Sequence, residues 1–370
     1  MRILVTGGAG FIGSHLVDAL VQKGHRVTVY DCFDPQVHGG KKPSYLNPDA
    51  EYLRGDVRNH SALQKALGRS EVVFHEAAAV GVGQSMYQVE HYVDVNTQGT
   101  AVLLDLLVNG RTRVKRLIVA SSMSIYGEGS YHCKTCGAVD PPLRGESQLK
   151  KRKWEMICPQ CQGTLSPRPT PEEKRLAPTS IYAFSKRHQE EMCLLIGQAY
   201  QLPTVALRYF NVYGPRQSLS NPYTGVCAIF SSRVKNRRPP LIYEDGLQSR
   251  DFVHVSDIVQ ANLLVMRKKE ADYGTFNVGT GCSTTILEIA ETLNHLYGKE
   301  LKPQIVGKYR RGDIRHCVAD ISKLKGIGFS PKVTLTEGLS ELASWGKGVR
   351  AIDRSVRADR ELLKRGLRER

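Results

Sequence analysis

Tyr182 and Lys186 stand at positions i and i+4, a spacing that puts both side chains on one face of a helix. A free phenol loses its proton near pH 10, too high for a base at neutral pH. An ammonium held beside it stabilises the phenolate and brings that value down. Ser122 follows the apolar run Arg116-Leu-Ile-Val-Ala120, which reads as a strand, and a hydroxyl at a strand end can hold a substrate oxygen. A second group of residues has metal chemistry. Cys133-Lys-Thr-Cys136 and Cys158-Pro-Gln-Cys161 are two Cys-x-x-Cys knuckles, each closely followed by a glycine (Gly137, Gly163). Together they offer four thiolates for a tetrahedral zinc ion, and four thiolates leave no open position, so the metal they imply is structural. The other five cysteines (Cys32, Cys193, Cys227, Cys282, Cys317) are dispersed and are expected to be packing residues.

The elements that must position these groups begin at the N-terminus. Ile3, Leu4 and Val5 read as a buried parallel strand, Gly7, Gly10 and Gly13 follow, and Phe11, Ile12, Leu16, Val17 and Leu20 then recur at helical spacing. Such glycines permit a tight turn, close approach of backbone to a pyrophosphate, and close packing of helix on strand. The helix N-terminus then directs unpaired N–H groups at the phosphates. Arg26-Val-Thr-Val-Tyr30 reads as the next strand and ends on Asp31, where a ribose-binding acid belongs. A carboxylate there accepts a 2′-hydroxyl and repels a 2′-phosphate, which favours NAD over NADP. Glu71-Val-Val-Phe-His75 is a further strand-length run, and helical segments lie near Ser61–Leu67 and Asn96–Val108. The alternation predicts a doubly wound α/β fold, a parallel sheet with helices on both faces. Ligands of such sheets sit at the carboxyl ends of the strands. There Asp56 can accept from an adenine amino group, and Ala77, Ala78 and Ala79 leave room for a dinucleotide.

The glycine loop, Gly55-Asp-Val57, His75-Glu-Ala-Ala78, Asn96, Ser121-Ser-Met-Ser-Ile-Tyr-Gly127, Tyr182-Ala-Phe-Ser-Lys186, Arg208-Tyr-Phe-Asn-Val-Tyr-Gly-Pro215 and Arg250-Asp-Phe-Val-His-Val255 occur in this order. Over residues 1–345, apart from a segment near 128–171, the chain resembles the extended short-chain dehydrogenases/reductases, specifically the nucleotide-sugar epimerases and dehydratases. The resemblance implies Ser122, Tyr182 and Lys186 as the catalytic triad. It implies NAD contacts at Gly7, Gly10, Phe11, Ile12, Gly13, Asp31, Asp56, Val57, Ala77, Ala78, Asn96, Ser121, Tyr182, Lys186 and Phe210. It implies substrate contacts at Ser124 and Asn211, phosphate contacts at Arg250 and Arg310, and Asp313 near the nucleotide ribose. The implied reaction takes a proton from the sugar 4-hydroxyl through Tyr182 while hydride passes to NAD. The 4-keto sugar turns over in the pocket, and hydride returns to its opposite face.

Within that family the 4,6-dehydratases place an Asp-Glu pair where this chain has Met123-Ser124, and the UDP-glucuronate decarboxylases place a glutamate at Ser124. Met and Ser do no acid/base work on carbon, so 4-epimerisation is expected over elimination or decarboxylation. The stretch from Tyr126 to Tyr182 is longer than in plain epimerases. The added segment reads as a zinc-ribbon-like insertion over 128–171, too short to build its own core and dependent on metal to fold. A similar cysteine-bearing insertion, and the stretch Gln217–Gly225, fit the branch resembling dTDP-L-rhamnose 4-epimerase, with UDP-glucose and UDP-uronate 4-epimerases as the alternatives.

The expected organisation is a Rossmann domain over 1–127 and 172–210, the insertion, a smaller lobe over 211–345 that is mostly substrate-binding, and a basic helical tail over 346–370. The helix after Tyr182, with Met192, Leu194, Leu195 and Ile196, and the helix around Val102–Val108 resemble the pair that builds a four-helix dimer interface in this family, so a homodimer is expected. The chain has 370 residues, 41% hydrophobic, nine cysteines and a net charge of +16. The basic residues are scattered, without a stripe interleaved with aromatics. They fit a solvated surface and a site for an anionic nucleotide better than nucleic-acid binding. No apolar stretch is long enough for a membrane span, and no signal peptide precedes the first strand, so a cytoplasmic protein is expected. A regulator that only senses NAD would have no need of Ser122, Tyr182 and Lys186 together.

Overall fold

The computed structural model describes residues 1–369. Seven parallel strands form one sheet: β1 (Arg2–Thr6), β2 (Arg26–Asp31), β3 (Glu51–Arg54), β4 (Val72–His75), β5 (Arg116–Ser122), β6 (Thr204–Tyr209) and β7 (Thr275–Val278), in the order β7-β6-β5-β4-β1-β2-β3. The chain builds outward from β1 in one direction and from β4 in the other. Their carboxyl ends therefore flank the crevice where the order reverses, the place such sheets bind ligands.

The strands are apolar on both faces because both faces are covered. Ile3, Val5, Val72, Phe74, Ile118, Val205 and Leu207 pack into one layer with helix α1 (Phe11–Gln22) and the helix Val255–Val265. The intervening Leu4, Val73, Leu117, Val119 and Ala206 face the other layer, built on α2 (Gly99–Asn109) and α3 (Ile181–Ala199). This period-2 alternation fixes which strand-end residues look up at the ligand and which look into the frame. Ahead of α2, Val93–Gln98 form a π-helical segment, a local widening that often marks a functional site; it carries Asn96.

A second core joins Tyr213, Cys227, Phe230, Phe252, Ile289, Leu293, Leu339 and Leu342. Short strand pairs surround it, among them Ser249–Arg250 between Thr284–Thr285 and His316–Cys317. Residues 211–345 do not form this lobe alone. They also supply β7 and the helix Val255–Val265 to the nucleotide-binding layers, because a parallel strand needs a crossover and the chain returns through the lobe to make it.

Residues Ser130–Cys133, Gly137–Val139 and Ser166–Arg168 form a three-stranded antiparallel sheet. The expectation that this insertion lacks a core is corrected: Tyr131, Val139, Met156 and Leu165 bury themselves around Cys133 and Cys158. A second correction concerns the dispersed cysteines. Cys193, Cys227 and Cys317 are buried, whereas Cys32 and Cys282 are exposed, since each lies in a loop beyond its strand rather than on a covered face. The last helix, Ser355–Lys364, is docked rather than free: Ala358 and Leu362 are buried, and the Arg365 guanidinium lies 4.2 Å from the Tyr87 ring centroid.

Candidate active site

The first wall is the glycine loop. Gly7 has φ +70°, and a Cβ there would lie 2.8 Å from the Ala77 backbone; a Cβ on Gly13 would lie 2.4 Å from the Gly7 carbonyl. The loop and the Ala77–Ala78 turn thus run closer together than any side chain allows. No side chain caps the N-terminus of α1 at Gly10, so the N–H groups that open with Phe11 and Ile12 stay available for a phosphate. Asp31 closes β2 beside this loop. Its carboxylate accepts from the amides of Ala9 at 3.0 Å and Phe33 at 2.8 Å, which aims it at the crevice. Asp56 is held by Arg58, which approaches to 2.8 Å through Nε and keeps the carboxyl below its ordinary range. Buried Val57 packs beneath it against Gly99.

The second wall comes from β5 and α3. Ser122 ends β5, and Tyr182 and Lys186 lie on α3, all three largely buried. Burial raises the Tyr182 phenol above its ordinary value, and a hydrogen bond with the Ser122 hydroxyl works the other way. Burial also pulls the Lys186 ammonium down to about 8, against the raising influence of Glu76, Cys193 and Glu190. Lys186 Nζ donates to the Ala120 carbonyl. Phe210, just past β6, is buried and packs near Tyr126 at 6.4 Å between ring centroids.

Two of the expected cofactor residues serve the frame through their side chains. Asn96 is fully buried and pairs with both backbone groups of Ala79, at 2.7 and 3.0 Å, and with Ser185 Oγ at 2.9 Å. It fixes the alanine turn against α3. Ser121 points the other way from Ser122, as period 2 requires, and donates to Glu190 at 2.5 Å. Glu190 in turn pairs with Arg208 inside the protein. His75 is clamped between Thr6 Oγ1 (2.8 Å) and Thr100 Oγ1 (2.9 Å), with burial pulling it down to about 3; it is a neutral strut.

Sequence reasoning passed over Glu76. This half-buried carboxyl accepts from Tyr209 at 2.8 Å, Tyr209 accepts from Asn262 at 2.8 Å, and burial pushes Glu76 up to about 7. It also passed over Glu190, whose i+4 spacing from Lys186 was the available signal.

Of the residues expected on the substrate side (Ser124, Asn211, Arg250, Arg310 and Asp313), only Arg250 and Asp313 touch one another through their side chains. Ser124 donates to Ser122 Oγ. Asn211 has a buried Oδ1 with no protein partner among the described residues. Arg250 is nearly buried and donates to the carbonyls of Ser249, Ile314 and Arg315, with Asp313 Oδ1 at 3.4 Å. Arg310 lies 4.0 Å from the Tyr243 ring centroid. The sulfurs of Cys133, Cys136, Cys158 and Cys161 all lie within 4.8 Å of one another. Among the described residues no helix is long and apolar enough to cross a membrane.

The sequence model of the NAD dependent epimerase/dehydratase family matches residues 3–153 and 155–279. The dTDP-L-rhamnose 4-epimerase of Burkholderia thailandensis is 34% identical over 352 residues, covering 93% of this chain and 94% of that protein. The UDP-glucose 4-epimerase of Thermotoga maritima, solved with UDP-glucose, superposes with a TM-score of 0.76 at 33% identity, over 94% of this chain and 99% of that one. The Thermus thermophilus UDP-glucose 4-epimerase complex with NAD gives 0.75 at 31% identity, over 95% and 100%.

Proposed function

This chain belongs to the NAD dependent epimerase/dehydratase family, and from that premise we propose that it inverts C4 of a deoxyhexose carried on dTDP, with dTDP-L-rhamnose the leading substrate. Its class is nucleotide-sugar 4-epimerase. The observation that carries the reaction type is the hydroxyl pair at the end of β5. Where eliminating relatives hold carboxylates, Ser124 gives its proton to Ser122. That arrangement serves removal and return of hydride and has no acid to expel water.

The cradle fits a dinucleotide: Gly7 and Gly13 leave room only for bare backbone, α1 opens uncapped, and the Asp31 carboxylate is tied to the loop through the Ala9 amide. NAD supplies a hydride acceptor and donor when bound. The protein does the rest. Tyr182 accepts the proton of the sugar 4-hydroxyl and later returns it, Ser122 hydrogen-bonds the same oxygen, and the charge of Lys186 lowers the cost of the phenolate. Asn211 offers its unpartnered oxygen to the sugar or its phosphate. Arg250 and Arg310 bind the diphosphate, a task for permanently charged planar forks.

For the base and sugar, the support is the Burkholderia relative and the cysteine insertion, with UDP-glucose and UDP-uronates as the alternatives. Incubating the purified protein with dTDP-, UDP-, GDP- and CDP-sugars and resolving the 4-epimers tests this. Turnover of UDP-glucose with none of dTDP-L-rhamnose would replace the leading substrate, and accumulation of a 4-keto-6-deoxy product would replace the reaction.

The four cysteine sulfurs suit zinc by donor type and mutual distance, and they would hold it as a closed structural site away from the chemistry. We also assign a homodimer through α3, where Phe184 and Leu195 are exposed at 45% and 66%, while Met192, Leu194 and Ile196 of the expected interface pack partly against the core.

A further inference from the structure

We propose that the cysteine insertion is the anchor that sets the position of Arg250, acting through the segment 313–316, and that Glu155 and Arg144 are positioning residues for diphosphate binding. This rests on the reading of Arg250 as a phosphate ligand.

Arg250 is oriented almost wholly by that segment. Its Nη2 donates to the Ile314 carbonyl at 2.7 Å and meets Asp313 Oδ1 at 3.4 Å, and its Nη1 donates to the carbonyls of Arg315 and Ser249, each at 2.9 Å. A guanidinium is a rigid plane, so wherever these carbonyls go, the plane follows. Among the described residues nothing accepts from its Nε–H, and the contact to half-exposed Asp313 is the weakest of the set. These are the donors left for an oxyanion.

The same segment is gripped from its other side by the insertion. Glu128, at the root of the insertion, accepts from the amides of Arg315 and His316, each at 2.8 Å, and is braced by the Tyr131 hydroxyl at 2.7 Å. Arg144 donates to the Asp313 carbonyl at 3.3 Å while holding Glu244 in a fork at 2.8 and 2.9 Å. Glu155 accepts from Arg315 Nε at 3.1 Å and meets His316 Nε2 at 3.2 Å. His316 Nδ1 continues to Ser249 Oγ at 2.8 Å, next to Arg250 itself. Arg315 is completely buried and shared among Glu155, Glu244 and Asp245. Its charge is satisfied from both sides only while the insertion is docked. A buried, multiply bonded ion network of this kind has few alternative geometries, so a shift of the insertion is passed on to the Arg250 carbonyls rather than absorbed.

A role in stability alone would not separate binding from turnover, whereas positioning Arg250 does. The test uses the full chain with its NAD, with dTDP and UDP as calorimetric probes. Glu155→Gln removes a half-exposed charge and is expected to weaken binding of the nucleotide that wild type binds, and to raise KM, by roughly five- to tenfold. Its kcat is expected within about twofold and its bound NAD unchanged. Arg144→Gln, acting from the Asp313 side, is expected to give the same pattern, so a folding defect in one variant does not end the test. In an Arg250→Lys background, Glu155→Gln is expected to add less than about twofold, because contacting residues of one network are not additive. Wild-type binding in both single variants, a loss confined to kcat, or the same loss in both Arg250 backgrounds would overturn the proposal. Wild type that binds neither dTDP nor UDP would instead overturn the nucleotide-sugar reading beneath it.

Discussion

Ser124 gives both its hydroxyl, at 2.9 Å, and its amide, at 3.2 Å, to the oxygen of Ser122. A hydroxyl oxygen has two lone pairs, and these contacts engage both. The proton of Ser122 is therefore the part left for another oxygen. The pair makes Ser122 a donor with a set direction, which suits an oxygen that gains negative charge as its own proton departs.

Tyr182→Phe keeps the ring that packs edge-on to Tyr92 at 6.4 Å and removes only the oxygen. Turnover is expected to fall by about 10²- to 10⁴-fold, the usual worth of a positioned acid/base, with NAD still bound. Product assays and NAD content after gel filtration check this; a rate close to wild type would assign the proton transfer to another group.

Glu76 gives a pH signature in stability. Its carboxyl is raised from 4.5 to about 7 in the folded protein. Between those values the unfolded chain has lost the proton that the folded chain keeps, so this group's contribution falls as pH rises through the window. Glu76→Gln is expected to flatten that decline while keeping an acceptor for Tyr209. Urea midpoints at pH 5 and pH 7 measure it, and parallel shifts in wild type and variant would show a carboxyl that ionises normally.

Replacing Cys133 and Cys136 by serine leaves two thiolates, too few to close a tetrahedral site. The wild type is expected to carry close to one zinc per chain by elemental analysis, and the double variant none. Because the insertion grips the 313–316 segment, metal loss is expected to raise KM with little change in kcat and none in NAD content. Reduced wild-type protein that holds no metal and is fully active would remove zinc from the account.

The exposed pair Phe184 and Leu195 sits on the same helix as Tyr182. Light scattering at micromolar concentration is expected to give the mass of two chains, and Leu195→Glu to give that of one, since burying an unpaired charge in an apolar contact is costly. A monomeric wild type would leave these side chains without the partner assigned to them.

How much of this was legible in advance follows from the range of the interactions involved. The glycine loop, the strands that carry Asp31 and Ser122, and the helix that carries Tyr182 and Lys186 are written in local spacing. A helix puts i and i+4 on one face, and a strand alternates faces whatever the rest of the chain does. That alternation even accounts for Ser121 turning inward to Glu190 while Ser122 turns the other way, to Ser124. The two Cys-x-x-Cys knuckles were readable for the same reason, although bringing all four sulfurs within 4.8 Å required the hairpins to close around Tyr131 and Met156.

How distant segments meet was left to packing. Nothing in the spacing of Glu128, Arg144, Glu155, Arg250 and Arg315 says that five residues spread over the chain share one network, because ion pairs form wherever packing delivers them and carry no periodicity. Packing also carried β7, from beyond position 270, back into the first sheet, and burial alone separates the raised carboxyl of Glu76 from an ordinary surface glutamate. Sequence set the chemistry that each local element could carry. The fold decided which of those elements face one another, because burial and charge pairing act between residues that the chain itself does not place side by side.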